Sequence, residues 1–329
     1  MKWTGKRVLV TGGAGFVGSH LAESLVRGGA TVRVFVRYNS SGFLGALRYL
    51  PPAIFREIEV YRGDLRDADA VSRAATRRQV VFHLGALIAI PYSYRHPREV
   101  GETNVLGTLN VLQAVTRNGV ERLVHASTSE VYGTARYVPM DENHPLRGQS
   151  PYSASKIGAD KLVESFYCSY GTPVVTLRPF NTYGERQSQR AVIPTVIHQA
   201  LRGNVVRLGA VRPSRDFTYV SDTVDAFLRA AVSRDAVGRV LNAGSGKETA
   251  IRALVDLIGS LLGKKLRVAT ESQRVRPKRS EVERLIADAR QARRTLRWKP
   301  QVDLPTGLRR VIAWIRANPP DDLPGGYTT

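Results

Sequence analysis

A doubly wound parallel α/β sheet of the Rossmann type, followed by a smaller helix-rich part, is predicted by two features of this 329-residue chain. Short runs of β-branched residues alternate with segments of helical period as far as Arg178. A glycine-rich turn, TGGAGFVG at Thr11–Gly18, joins the first such run to the first helical segment.

Along the chain, Lys6–Thr11 (KRVLVT) reads as a buried strand, and Phe16–Arg27 as a helix that stops at Gly28-Gly29. Thr31–Val36 is the second strand. A polar turn and a short helix stopped by Pro51-Pro52 lead to a third strand at Ile58–Tyr61 and the loop Gly63–Leu65. Asp67–Thr76 reads as a helix with an acidic first turn, Val80–Leu84 as the fourth strand, and Arg98–Arg117 as a long helix ending at Asn118-Gly119. Leu123–Ala126, Pro151–Tyr170 and Val174–Leu177 read as strand, long helix and strand. Beyond Arg178, helices are predicted at Val192–Arg202, Ser221–Val232, Ile251–Leu262, Glu281–Leu285, Asp288–Leu296 and Leu304–Ala317, with short strands at Val205–Leu208 and Val240–Asn242. Residues 1–180 then form one domain and 181–329 a second, with some segments free to interleave. The tail Pro319–Thr329 is expected to fray.

Composition narrows the class. Apolar residues make up 43% and aromatics 8%, as in globular proteins rather than disordered ones. There is no secretory h-region and no membrane-length apolar run, and Cys168 stands alone, so neither a disulfide nor a cysteine zinc site is expected. A cytoplasmic protein is the expectation. The net charge of +21 comes from forty Arg and nine Lys spread along the chain, with no nucleic-acid-binding signature among them. Some of the arginines are expected to bind an anionic diphosphate, and the rest to be solvated surface. The six His do not cluster, so no metal is predicted; His20 reads as helix surface, and His83 and His125 as strand core.

Three motifs carry chemistry. In the glycine turn, Gly12 permits the tight bend, Gly15 lets backbone N–H groups approach a pyrophosphate, and Gly18 lets the helix pack; Phe16 and Val17 open that helix, whose N-terminus favours anions. The second strand ends at Val36 and Arg37 with no acidic residue beside it in sequence, which favours NADP over NAD as cofactor, since a guanidinium can pair a 2′-phosphate. Asp64 suits the adenine amino group, with Leu65 beside it, and the backbone through Leu84 and Ala86 is placed to line the dinucleotide. Finally, HASTSEVYG at His125–Gly133 and SPYSASK at Ser150–Lys156 bring Thr128, Ser129 and Glu130 toward Tyr152 and Lys156, which share one helix face. A nearby ammonium is expected to lower the tyrosine pKa so that it works as a base near neutral pH.

TGGAGFVG, HLGA, STSEVYG, YSASK and RPFNTYG, in that order, resemble the extended short-chain dehydrogenase/reductase family that modifies nucleotide sugars, over essentially the whole chain. The resemblance implies a triad of Thr128, Tyr152 and Lys156 that oxidises a sugar at C4. It makes residues 181–329 the nucleotide-sugar part, with Tyr92, Asn181, Arg215 and Arg276 touching substrate. It also implies a homodimer paired through the helices Arg98–Arg117 and Pro151–Tyr170. Thr128-Ser129-Glu130 resembles the Thr-Ser-Glu of GDP-mannose 4,6-dehydratases, and longer segments are similar to dehydratases of the legionaminic-acid pathway. Glu130 would then take the C5 proton and Ser129 orient the C6 hydroxyl, making the chain a carbon–oxygen lyase. UDP-glucuronate decarboxylases share that triplet and remain an alternative, as do 4-epimerases.

Overall fold

The computed structural model describes residues 3–274 and 276–319, so the predicted fraying from Pro320 onward lies outside the described residues. Seven parallel strands form one sheet: β1 (Arg7–Thr11), β2 (Thr31–Arg37), β3 (Ile58–Gly63), β4 (Val80–His83), β5 (Arg122–Ala126), β6 (Val174–Pro179) and β7 (Val240–Ala243). Their order is β7-β6-β5-β4-β1-β2-β3. The chain reverses direction across the sheet between β1 and β4, which places a crevice beyond the ends of those two strands.

Side-chain alternation sorts the core into two layers. Val8 and Val10 join Leu21, Leu25, Val224 and Phe227 on one face, while Leu9 joins Val81, Leu112 and Val163 on the other. The strands are apolar on both faces because helices cover both. A third, smaller cluster packs Val131, Tyr132, Met140 and Phe180 against Val282, Leu285 and Ala287, so the C-terminal part lies against the segment that comes after β5. β7 belongs to this C-terminal part of the chain yet completes the main sheet, pairing Leu241 with Leu177 of β6.

Four helices have the predicted bounds: Phe16–Arg27, Pro151–Tyr170, Val192–Arg202 and Leu304–Ala317. The helix Pro151–Tyr170 is fixed at its start by a capping box between Ser150 and Ser153, with Pro151 in its first turn, and at its end by Gly171 in the left-handed conformation. Three expectations are corrected. Pro52 opens a short helix, Pro52–Arg56, rather than only ending one, because a proline at the first helical position loses no hydrogen bond. The long helix preceding β5 runs as Pro97–Gly101, a π turn at Glu102–Leu106, and Gly107–Arg117. Glu281–Leu285 is not helical: Ser214 N donates to Glu283 O at 2.9 Å, Leu285 N to Ser214 O at 3.3 Å and Ala135 N to Arg284 O at 3.3 Å. Those neighbours on both sides claim the backbone groups a helix would need. Among the described residues no helix is long and apolar enough to cross a membrane.

Trp298 anchors the last part of the chain. Its ring is 1% exposed, and its Nε1 donates to the carbonyl of Asp222 at 2.9 Å. Trp298→Ala is expected to cost about 3–5 kcal/mol, the range for emptying a buried aromatic site. Urea unfolding measures this, and a loss below about 1 kcal/mol would show that the site collapses without penalty.

Candidate active site

At the crevice the backbone of the glycine turn comes very close to the end of β4. Gly12 has φ +70°, and a Cβ there would lie 2.7 Å from Gly85 N. A Cβ on Gly18 would lie 2.2 Å from Gly12 O, so the helix packs directly on the turn. The helix Phe16–Arg27 starts at Gly15 without a side-chain cap, which leaves its first N–H groups available to a phosphate. Thr11 Oγ1 accepts from Gly85 N at 3.0 Å and pairs with His83 Nδ1 at 2.8 Å, fixing the Leu84–Ala86 backbone beside the turn. These are the residues a dinucleotide would need, in a cradle that side chains would fill, and they fit that group.

Two predicted cofactor residues are held in ion pairs, one of them with a partner far along the chain. Arg37 ends β2 with its side chain 62% exposed, and Glu99, far along the chain, reaches its Nη2 at 3.2 Å. The sequence shows no carboxylate near Arg37; the fold brings one there. Glu99 also accepts from the Tyr92 hydroxyl at 2.5 Å. Asp64 is gripped by Arg66 through Nε at 3.0 Å and Nη2 at 2.7 Å, and this pairing holds its carboxyl below the usual range. Leu65 is buried against Gly85 and Gly107.

The acid–base cluster is assembled. Thr128 caps the short turn Ser129–Tyr132 by accepting from Glu130 N at 3.2 Å, and its hydroxyl also hydrogen-bonds Tyr152. Ser129 and Tyr152 are buried, and so is Lys156, whose Nζ donates to the carbonyl of Ala126 at 2.8 Å. The expected lowering of the tyrosine pKa is not what the structure gives. Burial pushes Tyr152 well up, the charges of Glu130 and Asp160 add to this, and the Thr128 hydrogen bond opposes it. Lys156 is itself pushed down to about 8 by burial, against the pull of Asp160.

Tyr92, Asn181, Arg215 and Arg276, the four predicted substrate residues, line one cavity of about 410 Å³ together with Arg190 and Glu281. Arg276 Nη1 stands 3.9 Å from Glu130 Oε1 and 3.7 Å from Glu281 Oε1, and Arg215 Nη2 stands 3.4 Å from Glu281 Oε1. The cavity therefore reaches the cluster through Arg276. Asn181 Oδ1 and Arg276 Nη1 are buried without a hydrogen-bond partner, polar atoms left for a bound molecule to satisfy.

Several residues that matter here went unread in the sequence. Asp160 lies at the same spacing after Lys156 as Lys156 after Tyr152, a signal available on the helix face. It accepts Arg178 Nε and Nη2 at 3.1 and 2.9 Å. Burial pushes its carboxyl up, but His125, Arg178 and Lys156 outweigh that and hold it at about 2. Asn104, in the π turn, accepts from Leu87 N at 2.8 Å and donates to Leu87 O and Ser155 Oγ, both at 2.9 Å, joining the loop after β4 to the helix Pro151–Tyr170. His20 is not plain surface: its Nε2 meets the carbonyl of Glu185 at 3.0 Å, and Arg186, with φ +65°, pairs with Glu23 at 2.6 Å. His83 and His125 are buried as expected of core residues.

A sequence model of the family described as GDP-mannose 4,6 dehydratase matches residues 9–311. The dTDP-glucose 4,6-dehydratase of Streptomyces griseus is 34% identical, over 93% of this chain and 93% of its own. A putative UDP-glucose 4-epimerase of Methanocaldococcus jannaschii is 33% identical, over 94% of this chain and 99% of its own. Among solved structures, a double mutant of DesIV, a dTDP-glucose 4,6-dehydratase from Streptomyces venezuelae with NAD bound, superposes with a TM-score of 0.84 at 29% identity, covering 95% of this chain and 97% of that one. With its glycine turn, its buried tyrosine and lysine and its arginine-lined cavity, the chain belongs to the GDP-mannose 4,6-dehydratase family of extended short-chain dehydrogenases/reductases.

Proposed function

We propose that this protein is an NAD(P)-dependent nucleotide-sugar 4,6-dehydratase that converts a nucleoside-diphosphate hexose into its 4-keto-6-deoxy derivative. The observation that carries the reading is Glu130, a carboxylate in the short turn capped by Thr128 that faces the substrate cavity through Arg276. The Gly12–Gly18 turn, Leu84–Ala86 and Lys156 would hold the dinucleotide, which when bound supplies the hydride acceptor and the matching donor. Burial keeps Tyr152 protonated, so it must first lose its own proton before it takes that of the sugar 4-hydroxyl, while Thr128 holds that oxygen. The resulting ketone acidifies the C5 proton; Glu130 removes it and passes it to the departing C6 hydroxyl, oriented by Ser129, which leaves as water, and the C5–C6 double bond would then gain the returning hydride at C6 and, at C5, a proton that balances the one taken from the 4-hydroxyl. Arg276 and Arg215 suit the diphosphate by planar guanidinium pairing. A 4-epimerase or a decarboxylase would share the oxidation step and differ only in the fate of the ketone.

The NADP reading rests on Arg37. Glu99 competes with a 2′-phosphate for that guanidinium, so cofactor choice turns on this pair. We also read the chain as a homodimer joined through the two long helices. Leu106, on the π turn, is 50% exposed, which fits a covered face there.

Four outcomes are expected. Tyr152→Phe should reduce turnover by about a hundredfold or more, whereas Glu130→Gln should still reduce the dinucleotide on mixing with substrate yet release no product lighter by one water. Mass spectrometry on a panel of UDP-, GDP- and TDP-sugars reads this directly: loss of carbon dioxide or no change in mass would replace the dehydratase reading, and normal dehydration by the Gln variant would remove Glu130 from its role. Glu99→Gln should improve NADP binding about tenfold relative to NAD, measured by calorimetric titration. An unchanged ratio would show that Arg37 does not meet the 2′ position. Light scattering should give twice the chain mass, and a monomer would end the dimer reading.

A further inference from the structure

Asp160 is buried four residues beyond Lys156 on the helix that carries Tyr152. Its Oδ2 accepts Ser127 Oγ at 2.8 Å as well as two nitrogens of Arg178, and its Oδ1 stands 3.3 Å from His125 Nε2. His125 and Ser127 flank Ala126, and it is the Ala126 carbonyl that receives Lys156 Nζ at 2.8 Å. One carboxylate therefore hydrogen-bonds Ser127 on one side of the group that holds the lysine and stands close to His125 on the other. Thr128 is the next residue along.

We propose that Asp160 is a positioning residue: it fixes the end of β5 and keeps the buried Lys156 an ammonium, so that the lysine works as a cation beside Tyr152. A lysine with 3% of its surface exposed keeps its charge only if a negative group answers it. The surroundings leave that task to Asp160. On β4, His83 is held neutral, chiefly by burial, and on β5 burial takes His125 down to about 4. Arg178 on β6 is a cation. Tyr152 on the lysine's own helix is kept protonated by burial, and Glu130 acts on Tyr152. Against the burial of Lys156, the opposing charge that raises it is Asp160. Asp160 also serves two ends at once, since Arg178 continues to the Tyr132 hydroxyl at 3.0 Å and Tyr132 donates to Asn242 of β7 at 2.7 Å.

This inference rests on Tyr152 and Lys156 being the acid–base pair, and its test does not depend on which sugar is turned over. Trace acetylation of Lys156 across pH, read by peptide mass spectrometry on the full chain, gives the titration midpoint of that lysine. The wild-type midpoint is expected near 8. Asp160→Asn should lower it by about one pH unit or more, and the alkaline limb of turnover should move down with it, because a lysine needed as a cation is lost as pH rises through its pKa. Asp160→Glu should restore both. Arg178→Gln leaves the carboxylate less neutralised and should raise the midpoint, and this variant decides the matter if Asp160→Asn does not fold. An unchanged midpoint in a folded Asn variant, or no rise in Arg178→Gln, overturns the proposal. Shifted midpoints in proteins that turn over no nucleotide sugar would uphold this role and sink the dehydratase reading instead.

Discussion

The arrangement at the centre of this molecule depends on a buried ion pair, Asp160 with Arg178. Desolvating two charges is expensive, and such a pair need not stabilise a protein more than well-packed apolar groups would. Its effect is to make geometry specific. The catalytic helix, the end of β5 and β6 have one mutual position in which the carboxylate keeps its partners from Ser127 and Arg178. Leaving either charge alone in the core costs about 3–5 kcal/mol, so the chain has a strong reason to keep that position. Through Tyr132 and Asn242 the same constraint reaches β7, which the C-terminal part of the chain contributes to the sheet.

Around that centre the high positive charge divides into two kinds of arginine. Some are answered by carboxylates, as Arg178 by Asp160, Arg186 by Glu23 and Arg284 by Glu248. Others, Arg215 and Arg276 among them, line the cavity, where Glu281 is shared between them. A surplus of guanidinium groups in a cavity of this kind is the electrostatic counterpart of a diphosphate. Net charge alone does not distinguish these cases, because the distinction lies in which arginines the fold leaves short of a partner.

Much of the fold could be read from the sequence because local signals agreed with tertiary demands. The helix Pro151–Tyr170 has a serine cap, a proline in its first turn and a glycine stop, and the strands are rich in β-branched residues. Glu281–Leu285 was misread because its short apolar period says helix while Ser214 and Ala135 claim its backbone, a competition no local pattern records. The site divides in the same way. Thr128, Glu130, Tyr152 and Lys156 lie in two contiguous motifs and were legible. Glu99 beside Arg37 was hidden because the pair spans distant segments. Arg178 was hidden inside a strand, where a buried charge looks like an apolar run interrupted. The direction of the Tyr152 shift could not be read either, because it is set by burial, which spacing does not encode.

The segment Glu185–Arg186 is fastened to the helix Phe16–Arg27 that leaves the glycine turn, by Arg186 on Glu23 and by His20 on the Glu185 carbonyl. The next residues, Gln187, Ser188 and Arg190, line the substrate cavity. One helix thus has its uncapped N-terminus at the glycine turn and, farther along, holds a wall of the arginine-lined cavity. Two sites built on the same strut are energetically linked, and linkage is reciprocal. On the proposed function, whatever stiffens this helix from the dinucleotide side would lower the ordering cost on the sugar side, and the reverse would hold equally. An enzyme that keeps its dinucleotide through every cycle would then meet each incoming substrate with the pocket wall already set.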